Sequence, residues 1–248
     1  MRLDKFLAHC GFGTRKDVRI LIKKKQVMVN GLMTRALDLK INPDEDEVIV
    51  SGQKCHYTEY FYIMMNKKMD VVSARDDAKQ QTVFDDLPEL YYDRKVAPIG
   101  RLDKDTTGML ILSNDGSFAH QMLHPKKHVN KKYRVSIDTK ITMEMITALE
   151  NRVELDDGYI CMPAVVEMTE DPNLIYLTIQ EGKFHQVKRM LHAVGNEVLA
   201  LKRVQIGMLK LDENLPLGGY REITEDEYDA IFMGSEGEGV EVCFNGEI

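Results

Sequence analysis

Three aspartates within residues 100–116, GRLDKDTTGMLILSNDG, are the side chains of this sequence best placed for chemistry. Asp103 and Asp105 precede the apolar run MLIL, and Asp115 follows it. A carboxylate beside a buried strand can act as a nucleophile, a general base or a counter-charge. A carboxylate in a surface turn can instead serve only the backbone, by accepting hydrogen bonds from nearby N–H groups. The residues around each aspartate therefore decide which one could be catalytic.

One candidate chemistry is phosphoryl transfer, because DKDTT at residues 103–107 matches the DxDxT nucleophile loop of haloacid-dehalogenase-type phosphotransferases. That chemistry requires an apolar strand directly before the first aspartate and a later acidic cluster that holds Mg²⁺. Gly100-Arg101 interrupts the approach, and the dense acidic run of residues 224–229 resembles a tail. The pattern argues against a phosphotransferase and favours turn or cap roles for Asp105 and Asp115.

Composition and cysteine spacing are those of an ordinary globular protein. The 248 residues are 44% hydrophobic, and no apolar run reaches the roughly 20 residues that a membrane helix needs. Charges interrupt the apolar residues of MRLDKFLAHCG, so we expect no signal peptide there. Four scattered cysteines predict reduced cytoplasmic thiols and no structural zinc: Cys10, Cys55, Cys161 and Cys243.

Charge is distributed unevenly along the chain, which the net charge of −7 conceals. Residues 1–40 carry ten basic and three acidic side chains, whereas the residues after Arg221 carry nine acidic and no basic ones. We expect a basic N-terminal module that can meet phosphates, and an acidic C-terminal tail over residues 233–248. A solvated charged surface without a partner is the alternative that charge alone leaves open.

The first 52 residues read as a compact module of two helices and a hairpin. An apolar stripe at helical spacing comes first, Thr14 is placed to cap a second helix, and Asn30-Gly31 signals a tight turn. This order, opening on RLDKFLA and closing on a hairpin with VNG, resembles the S4 RNA-binding domain. The resemblance predicts RNA contacts from a basic face made of Arg2, Lys5, Arg15, Lys16, Arg19 and Lys23.

Residues 53–59 read as a linker, and a second domain is predicted over residues 60–232. YFYIMMN, MLILSND, YRVSI and LIYLTI are interpreted as strands, and HQVKRMLHAVG as an amphipathic helix. Strands and helices alternate without a regular βαβ rhythm, which favours an α+β fold over a Rossmann-type fold.

The second domain resembles the RsuA group of pseudouridine synthases, because several motifs recur in the group's order. The stretch from Gly100 matches its signature GRLDxxTxGLLxLTNDG. Further matches are Lys132-Tyr133-Arg134-Val135, EGKFHQVKRM at 181–190, AVGN at 193–196, Lys202-Arg203, Ile206-Gly207 and residues 209–221. The resemblance implies a mixed, largely antiparallel sheet flanked by helices. One departure is visible: the group's Asn-Lys-Pro-x-Gly turn is Asn66-Lys67-Lys68-Met69-Asp70 here, so we expect a less preorganised turn.

The resemblance implies isomerisation of uridine to pseudouridine without a cofactor or a metal, with Asp103, Tyr133 and Lys188 as catalytic residues. Asp103 would act at the ribose, Lys188 would favour its ionised form, and Tyr133 would stack on the uracil. By pattern alone, Lys188 reads as a solvent-facing lysine and Tyr133 as a core residue. RNA contacts are expected from Arg101, His185 and Gln186, with a helix-start role as the alternative for the last two.

The expected substrate is ribosomal RNA, free or in a small-subunit assembly intermediate, because an S4 domain with this catalytic domain implies a large structured RNA. HQVKRM with AVGN resembles the branch that modifies 16S RNA. The alternatives are a synthase for 23S large-subunit RNA and a non-catalytic S4 RNA-binding protein. We expect a cytoplasmic monomer without a membrane partner.

Overall fold

The computed structural model describes residues 1–124 and 127–233, so the predicted tail lies outside the described residues except for Met233. The described residues form two compact units: 1–61 with 88–96, and 62–87 with 97–233. Residues 88–96 therefore belong with the first unit, which their place in the sequence does not suggest. No helix in the described ranges is long and apolar enough to cross a membrane.

The first unit packs two helices against a four-stranded sheet of order β2-β1-β3-β4. Its elements are α1 (Leu3–His9), α2 (Arg15–Lys23), β1 (Val27–Val29), β2 (Leu32–Met33), β3 (Val48–Val50), β4 (Gln53–Lys54) and α3 (Glu89–Asp93). Thr14 caps α2 as predicted, in a reciprocal capping box with Asp17. The predicted hairpin turn is also present, since Asn30 and Gly31 both adopt positive φ, +51° and +78°.

Arg94, directly after α3, ties residues 88–96 to the rest of the first unit. Its guanidinium lies over the rings of Tyr57 and Phe61, 5.2 and 5.1 Å from their centroids. It also donates hydrogen bonds to the carbonyl oxygens of His9 and Glu59, both at 2.9 Å. The buried guanidinium therefore stabilises the packing of residues 88–96 on the rest of the first unit through both cation–π contacts and hydrogen bonds.

The second unit is built on one mixed sheet. Its elements are β5 (Tyr62–Lys67), β6 (Ala97–Pro98), β7 (Thr106–Ser113), α4 (Gly116–Leu123), β8 (Lys131–Ile137), α5 (Met143–Glu150), β9 (Val165–Met168), β10 (Leu174–Ile179), α6 (Gln186–Ala193), β11 (Val198–Ile206), β12 (Leu209–Lys210), β13 (Tyr220–Glu222) and α7 (Glu225–Phe232). The strand order is β13-β5-β7-β11-β8-β10-β9, with β6 beside β7 and β12 beside β11. In this described sheet only β7 and β11 pair in parallel, so the mixed, largely antiparallel arrangement agrees with the prediction.

An aromatic cluster anchors β7, the strand that follows Asp103. Phe118 of α4 stacks on Tyr228 of α7 with ring centroids 5.0 Å apart, and Tyr62 of β5 meets both rings edge-on. Met109 and Ile111 of β7 are fully buried in the same cluster. Because both faces of this strand are packed, its first residues give the preceding loop a fixed base.

Candidate active site

Asp103 lies in the loop between β6 and β7, and neighbouring segments fix this loop through its backbone. Ser73 Oγ donates to the Leu102 carbonyl oxygen at 2.8 Å and accepts from the Leu102 N–H at 3.0 Å. The N–H of Thr106 donates to the Asp103 carbonyl oxygen at 3.1 Å. The Asp103 side chain itself remains 30% exposed. Its position is therefore held from behind while the carboxylate stays accessible.

Lys67, at the end of β5, holds the same loop, and the sequence reasoning missed this role. Its side chain is fully buried. Its Nζ donates to four carbonyl oxygens, those of Lys68 (3.1 Å), Asp103 (3.0 Å), Lys104 (3.2 Å) and Thr106 (2.9 Å). Burial lowers the pKa of Lys67 to about 8, although nearby carboxylates oppose this shift. A lysine at the end of the strand YIMMNK, whose first four residues are hydrophobic, was the signal that could have revealed it.

The turn after β5 keeps its backbone contact with the Asp103 loop, although its sequence departs from the Asn-Lys-Pro-x-Gly pattern. Asp70 stands where that pattern has glycine, and it adopts φ +63°. Its N–H still donates to the Lys104 carbonyl oxygen at 3.0 Å. Aspartate tolerates the left-handed region better than most residues do, so the turn keeps its contact with the Asp103 loop at some cost in strain.

Gly108 allows β7 and β11 to approach closely beside the site. It lies opposite Arg203 in the parallel pair and adopts φ +98°. A Cβ atom at this position would lie 2.2 Å from the Arg203 carbonyl oxygen. Any larger residue would displace β11, which carries Leu201 and Arg203 into the wall of the site.

Two basic side chains at the start of α6 approach Asp103. Lys188 Nζ lies 3.6 Å from Asp103 Oδ2, and His185 Nε2 lies 3.7 Å from Asp103 Oδ1. Lys188 makes a shorter contact, 2.6 Å, with Asp105 Oδ1, and this hydrogen bond is the main cause that lowers the pKa of Asp105. Asp105 lies in a turn, and its carboxylate additionally pairs with Lys188, which also faces Asp103.

His185 begins α6 in a left-handed backbone conformation, with φ +50° and ψ +30°. Such a conformation is strained for a residue with a side chain. The imidazole stacks on the exposed ring of Phe184, with centroids 3.8 Å apart. The strained backbone conformation is therefore found at the residue whose imidazole approaches Asp103.

Gln186 is a buried residue of the cavity wall, and its amide is already hydrogen-bonded within the chain. Its side chain is 4% exposed, Nε2 donates to Glu181 Oε2 at 2.9 Å, and Oε1 accepts from the Lys183 N–H at 3.0 Å. The expected RNA contact by Gln186 does not fit this burial, because the amide already bonds within the chain. The helix-start role, the alternative from sequence, describes its position better.

Asp103, Tyr133 and the start of α6 line one cavity of about 130 Å³. Tyr133 is buried in β8, opposite Arg203 of β11. The exposed Arg101 also lines the cavity. In the described part of the chain, no group of three or more histidine, cysteine or carboxylate side chains could hold a metal ion. Folding thus brings together the three residues predicted to be catalytic.

Asp115 has a structural role, as the sequence favours, and this role is to cap the N-terminus of α4. Its carboxylate accepts hydrogen bonds from the N–H groups of Ser117 and Phe118 at 2.8 and 3.2 Å. It also accepts from the Tyr62 hydroxyl at 2.7 Å. Asp115 therefore stabilises the start of α4 and lies outside the cavity wall.

The six basic residues predicted to contact RNA from the first unit are all exposed, but they are not equivalent. Arg2 and Arg19 pair with the buried carboxylate of Asp4 at 3.1 and 3.3 Å. Both guanidinium groups therefore help to stabilise the fold. The remaining four are Lys5 on α1 and Arg15, Lys16 and Lys23 on α2.

A carboxylate beside basic groups, with a tyrosine in the wall, is an arrangement suited to chemistry on a nucleotide. Enzymes that react at a base extrude it from its stack into a pocket of this kind. Aromatic side chains then hold the base and charged groups act on the bonds that change. The site is therefore compatible with an enzyme that acts on a nucleobase.

Comparison with known proteins gives the family. Residues 61–193 match the family described as RNA pseudouridylate synthase, and the chain belongs to this family. The enzymatic activity of the family is the isomerisation of uridine in RNA to pseudouridine, so the predicted class of enzyme is confirmed.

Whole-chain relatives extend this result beyond the matched residues. The chain is 48% identical to the "Uncharacterized RNA pseudouridine synthase YtzG" of Bacillus subtilis, covering 92% of this chain and 96% of the relative. It is 36% identical both to ribosomal large subunit pseudouridine synthase B of Bacillus subtilis (91% and 93% covered) and to ribosomal small subunit pseudouridine synthase A of Vibrio vulnificus (94% and 100%). A crystal structure of a pseudouridylate synthase, 34% identical, aligns over 93% of this chain and 99% of its own with a TM-score of 0.64. These relatives confirm an RsuA-type synthase.

Proposed function

We propose that this chain converts a uridine of ribosomal RNA to pseudouridine, with Asp103, Tyr133 and Lys188 as its catalytic residues. The observation that carries this proposal is the approach of Lys188 to Asp103 in a cavity that Tyr133 also lines. Membership of the RNA pseudouridylate synthase family supports the reaction. Relatives named for action on the small and the large ribosomal subunit support the class of RNA.

The reaction exchanges a carbon–nitrogen bond for a carbon–carbon bond without net oxidation. The N1–C1′ bond of uridine breaks, the uracil turns, C5 bonds to C1′, C5 loses its proton and N1 gains one. Asp103 acts at the ribose as a nucleophile or counter-charge, for which it must be ionised. Lys188 Nζ, 3.6 Å from Asp103 Oδ2, provides the opposite charge beside it, and Tyr133 offers its ring to the uracil and its phenol as a general base.

Arg101 acts on the RNA rather than on the reacting bonds in this proposal. It is exposed and lines the same cavity as Asp103, two residues away along the chain. A guanidinium there can bind a phosphate or fill the space that the extruded nucleotide leaves. His185 has a position beside both Asp103 and the cavity, so it can contact the substrate as well.

The first unit serves in this proposal as an S4-type RNA-binding domain with residues 1–52 as its body; of the linker predicted over 53–59, Gln53–Lys54 form β4 of the same sheet. Its exposed basic side chains on α1 and α2 support this role, because lysine and arginine on a helix can follow a phosphate backbone. This function requires neither a cavity nor base-specific contacts. The catalytic domain is then residues 60–232.

We place the target in small-subunit 16S RNA, free or in an assembly intermediate, because HQVKRM with AVGN resembles the small-subunit branch. The relatives do not decide between subunits, since the identity to a small-subunit and to a large-subunit synthase is the same 36%. The proposed enzyme acts as a monomer in the cytoplasm.

The decisive experiment offers the purified protein unmodified 16S and 23S transcripts, and partly assembled small subunits, with Asp103→Asn as the inactive control. Pseudouridine is then mapped along each RNA. We expect one modified position in 16S RNA and none with the variant. Modification of 23S RNA alone would replace the proposed target, and RNA binding without any pseudouridine would favour the non-catalytic alternative.

A further inference from the structure

Two buried polar atoms, each in a residue that lines the cavity, have no hydrogen-bond partner among the described residues and no role in the reaction as described so far. Arg203 is 4% exposed, and its Nε donates to the Met109 carbonyl oxygen at 2.8 Å. Its Nη2 is buried without a hydrogen-bond partner among the described residues. Thr106 is 1% exposed, and its Oγ1 likewise has no partner within the described chain. Both residues line the cavity that contains Asp103 and Tyr133.

An unsatisfied buried donor is expensive, since leaving one unpaired costs about 1–3 kcal/mol. A folded chain that keeps an unpaired guanidinium nitrogen and an unpaired hydroxyl in one cavity offers both to a ligand. The ligand must present hydrogen-bond acceptors to Arg203, because a guanidinium only donates.

Lys131 adds a second cation to the same wall. It precedes Tyr133 by two residues in β8, so both side chains point to the same face of the sheet. Its Nζ donates to the Val129 carbonyl oxygen at 3.0 Å. Among the described wall residues Asp103 is the single carboxylate, whereas the basic ones are Arg101, Lys131, Lys183, His185 and Arg203. The wall residues therefore carry more positive charge than is needed to balance the single negative charge of Asp103.

Building on the proposed function, we propose that Arg203 and Lys131 are further catalytic residues that bind the two carbonyl oxygens of the target uracil. When the N1–C1′ bond breaks, its electron pair goes to N1 and the negative charge spreads to O2 and O4. Fixed cations facing these oxygens stabilise the detached anion until C5 bonds to C1′ and N1 is protonated. The Thr106 hydroxyl is then available to N3 of the same ring.

The same contacts make the site selective for uridine over cytidine. Uracil presents two carbonyl oxygens as acceptors, whereas cytosine replaces the oxygen at C4 with an amino donor. A donor facing a lysine or arginine donor leaves both groups unpaired in a buried site, and such a mismatch is rejected strongly.

The main test uses Lys131→Met, because the side chain keeps its length and loses its charge. Lys132→Met is the matched control: Lys132 is the next residue of β8, points to the other face and pairs with Glu167 at 2.7 Å. We expect Lys131→Met to slow single-turnover pseudouridine formation about 100-fold with little change in RNA affinity. The control should keep the wild-type rate.

A second substrate separates charge stabilisation from a merely structural effect. RNA with 5-fluorouridine at the target yields a detached anion that fluorine already stabilises, so Lys131→Met should slow its rearrangement far less than it slows that of uridine. Because C5 then carries fluorine and no proton to lose, the rearranged ring takes up water instead, with hydroxide at C6 and the proton at N1. Nucleoside mass spectrometry after digestion measures both products. Arg203→Lys, which keeps one cation, should fall between wild type and Lys131→Met on uridine.

The outcomes distinguish the two proposals. Equal losses on uridine and 5-fluorouridine, or an undiminished rate for Lys131→Met, would overturn the role of this cation. If wild type forms no pseudouridine at all, the proposed function itself fails. Lys131 carries the test because the buried Arg203 also supports the fold, so Arg203→Lys is interpreted only if its circular dichroism and melting match those of wild type.

Discussion

The cavity around Asp103 and the basic face of α2 use charge in opposite ways. In and behind the cavity, side chains from several segments are fixed by hydrogen bonds: Arg203 is buried in the wall, and Lys67 is buried against the backbone of the Asp103 loop. On α2, Arg15, Lys16 and Lys23 are exposed. Charges in a poorly solvated cavity interact strongly, so their effect depends on exact positions. Exposed charges interact weakly, their effects add, and salt screens them. The comparison implies large effects of single substitutions at the first region and cumulative, salt-dependent effects at the second.

Asp103→Asn should give the largest effect, because it removes the charged oxygen and preserves the shape of the side chain. We expect the rate of pseudouridine formation to fall by about 10³-fold or more, with RNA affinity unchanged. Single-turnover kinetics with radiolabelled RNA would measure it. Asp105→Asn is the control. A larger loss of rate for Asp105→Asn than for Asp103→Asn would mean that Asp103 is not the catalytic carboxylate.

Lys67→Met should lower the free energy of unfolding by about 2–4 kcal/mol, because four carbonyl oxygens around the buried Lys67 side chain lose their donor. Urea unfolding followed by circular dichroism would measure this. Lys68→Met is a matched control next to it, since the Lys68 side chain forms a surface pair with Asp86, expected to contribute less than about 1 kcal/mol. Equal losses for both variants would remove Lys67 from the support of the Asp103 loop.

The activity should also depend on pH through Lys131. Burial, with a smaller contribution from the nearby Arg203, lowers the pKa of Lys131 to about 8, and Glu181 opposes this shift. The ammonium is present below that pH and lost above it, so the rate should fall up to about tenfold per unit above pH 8. Lys131→Arg should remove this fall, because arginine stays protonated. A fall that persists in Lys131→Arg would assign it to another group.

Reversing Arg15, Lys16 and Lys23 to glutamate should give a smaller and salt-dependent effect. Arg19 is left unchanged because it pairs with the buried Asp4. We expect RNA affinity to fall at least about tenfold, and the slope of log affinity against log salt to become shallower by about 2–3. Fluorescence anisotropy across a salt series would measure both.

The charge-matched control for α2 reverses three exposed lysines of the second unit: Lys79, Lys140 and Lys210. These changes alter the net charge equally but leave the basic face of α2 intact. Their salt slope should stay near that of wild type. If both triple variants behaved alike, net charge rather than α2 would determine the binding, and the contrast between the two regions would fail.

The sequence by itself determined the features that depend on neighbouring residues in the chain. The capping box of Thr14, the Asn30-Gly31 turn and the apolar strands follow from local chemistry and periodicity, and all are present. The motif around Asp103 likewise identified the catalytic family, because a run of residue types survives in the order of the chain. Gly108 belongs to that motif, but its reason, the close approach to Arg203, is visible only in the fold.

Only the tertiary structure decided which groups face one another. It assigned Lys188 a closer contact with Asp105 than with Asp103, buried Gln186, and directed Lys67 to the backbone of the Asp103 loop. It also left one nitrogen of Arg203, a residue of the cavity wall, without a partner among the residues that the structure describes. Each of these outcomes depends on carbonyl, carboxylate or guanidinium groups from segments far apart in the chain. Their distances and their burial are properties of the packed fold, which no local pattern encodes.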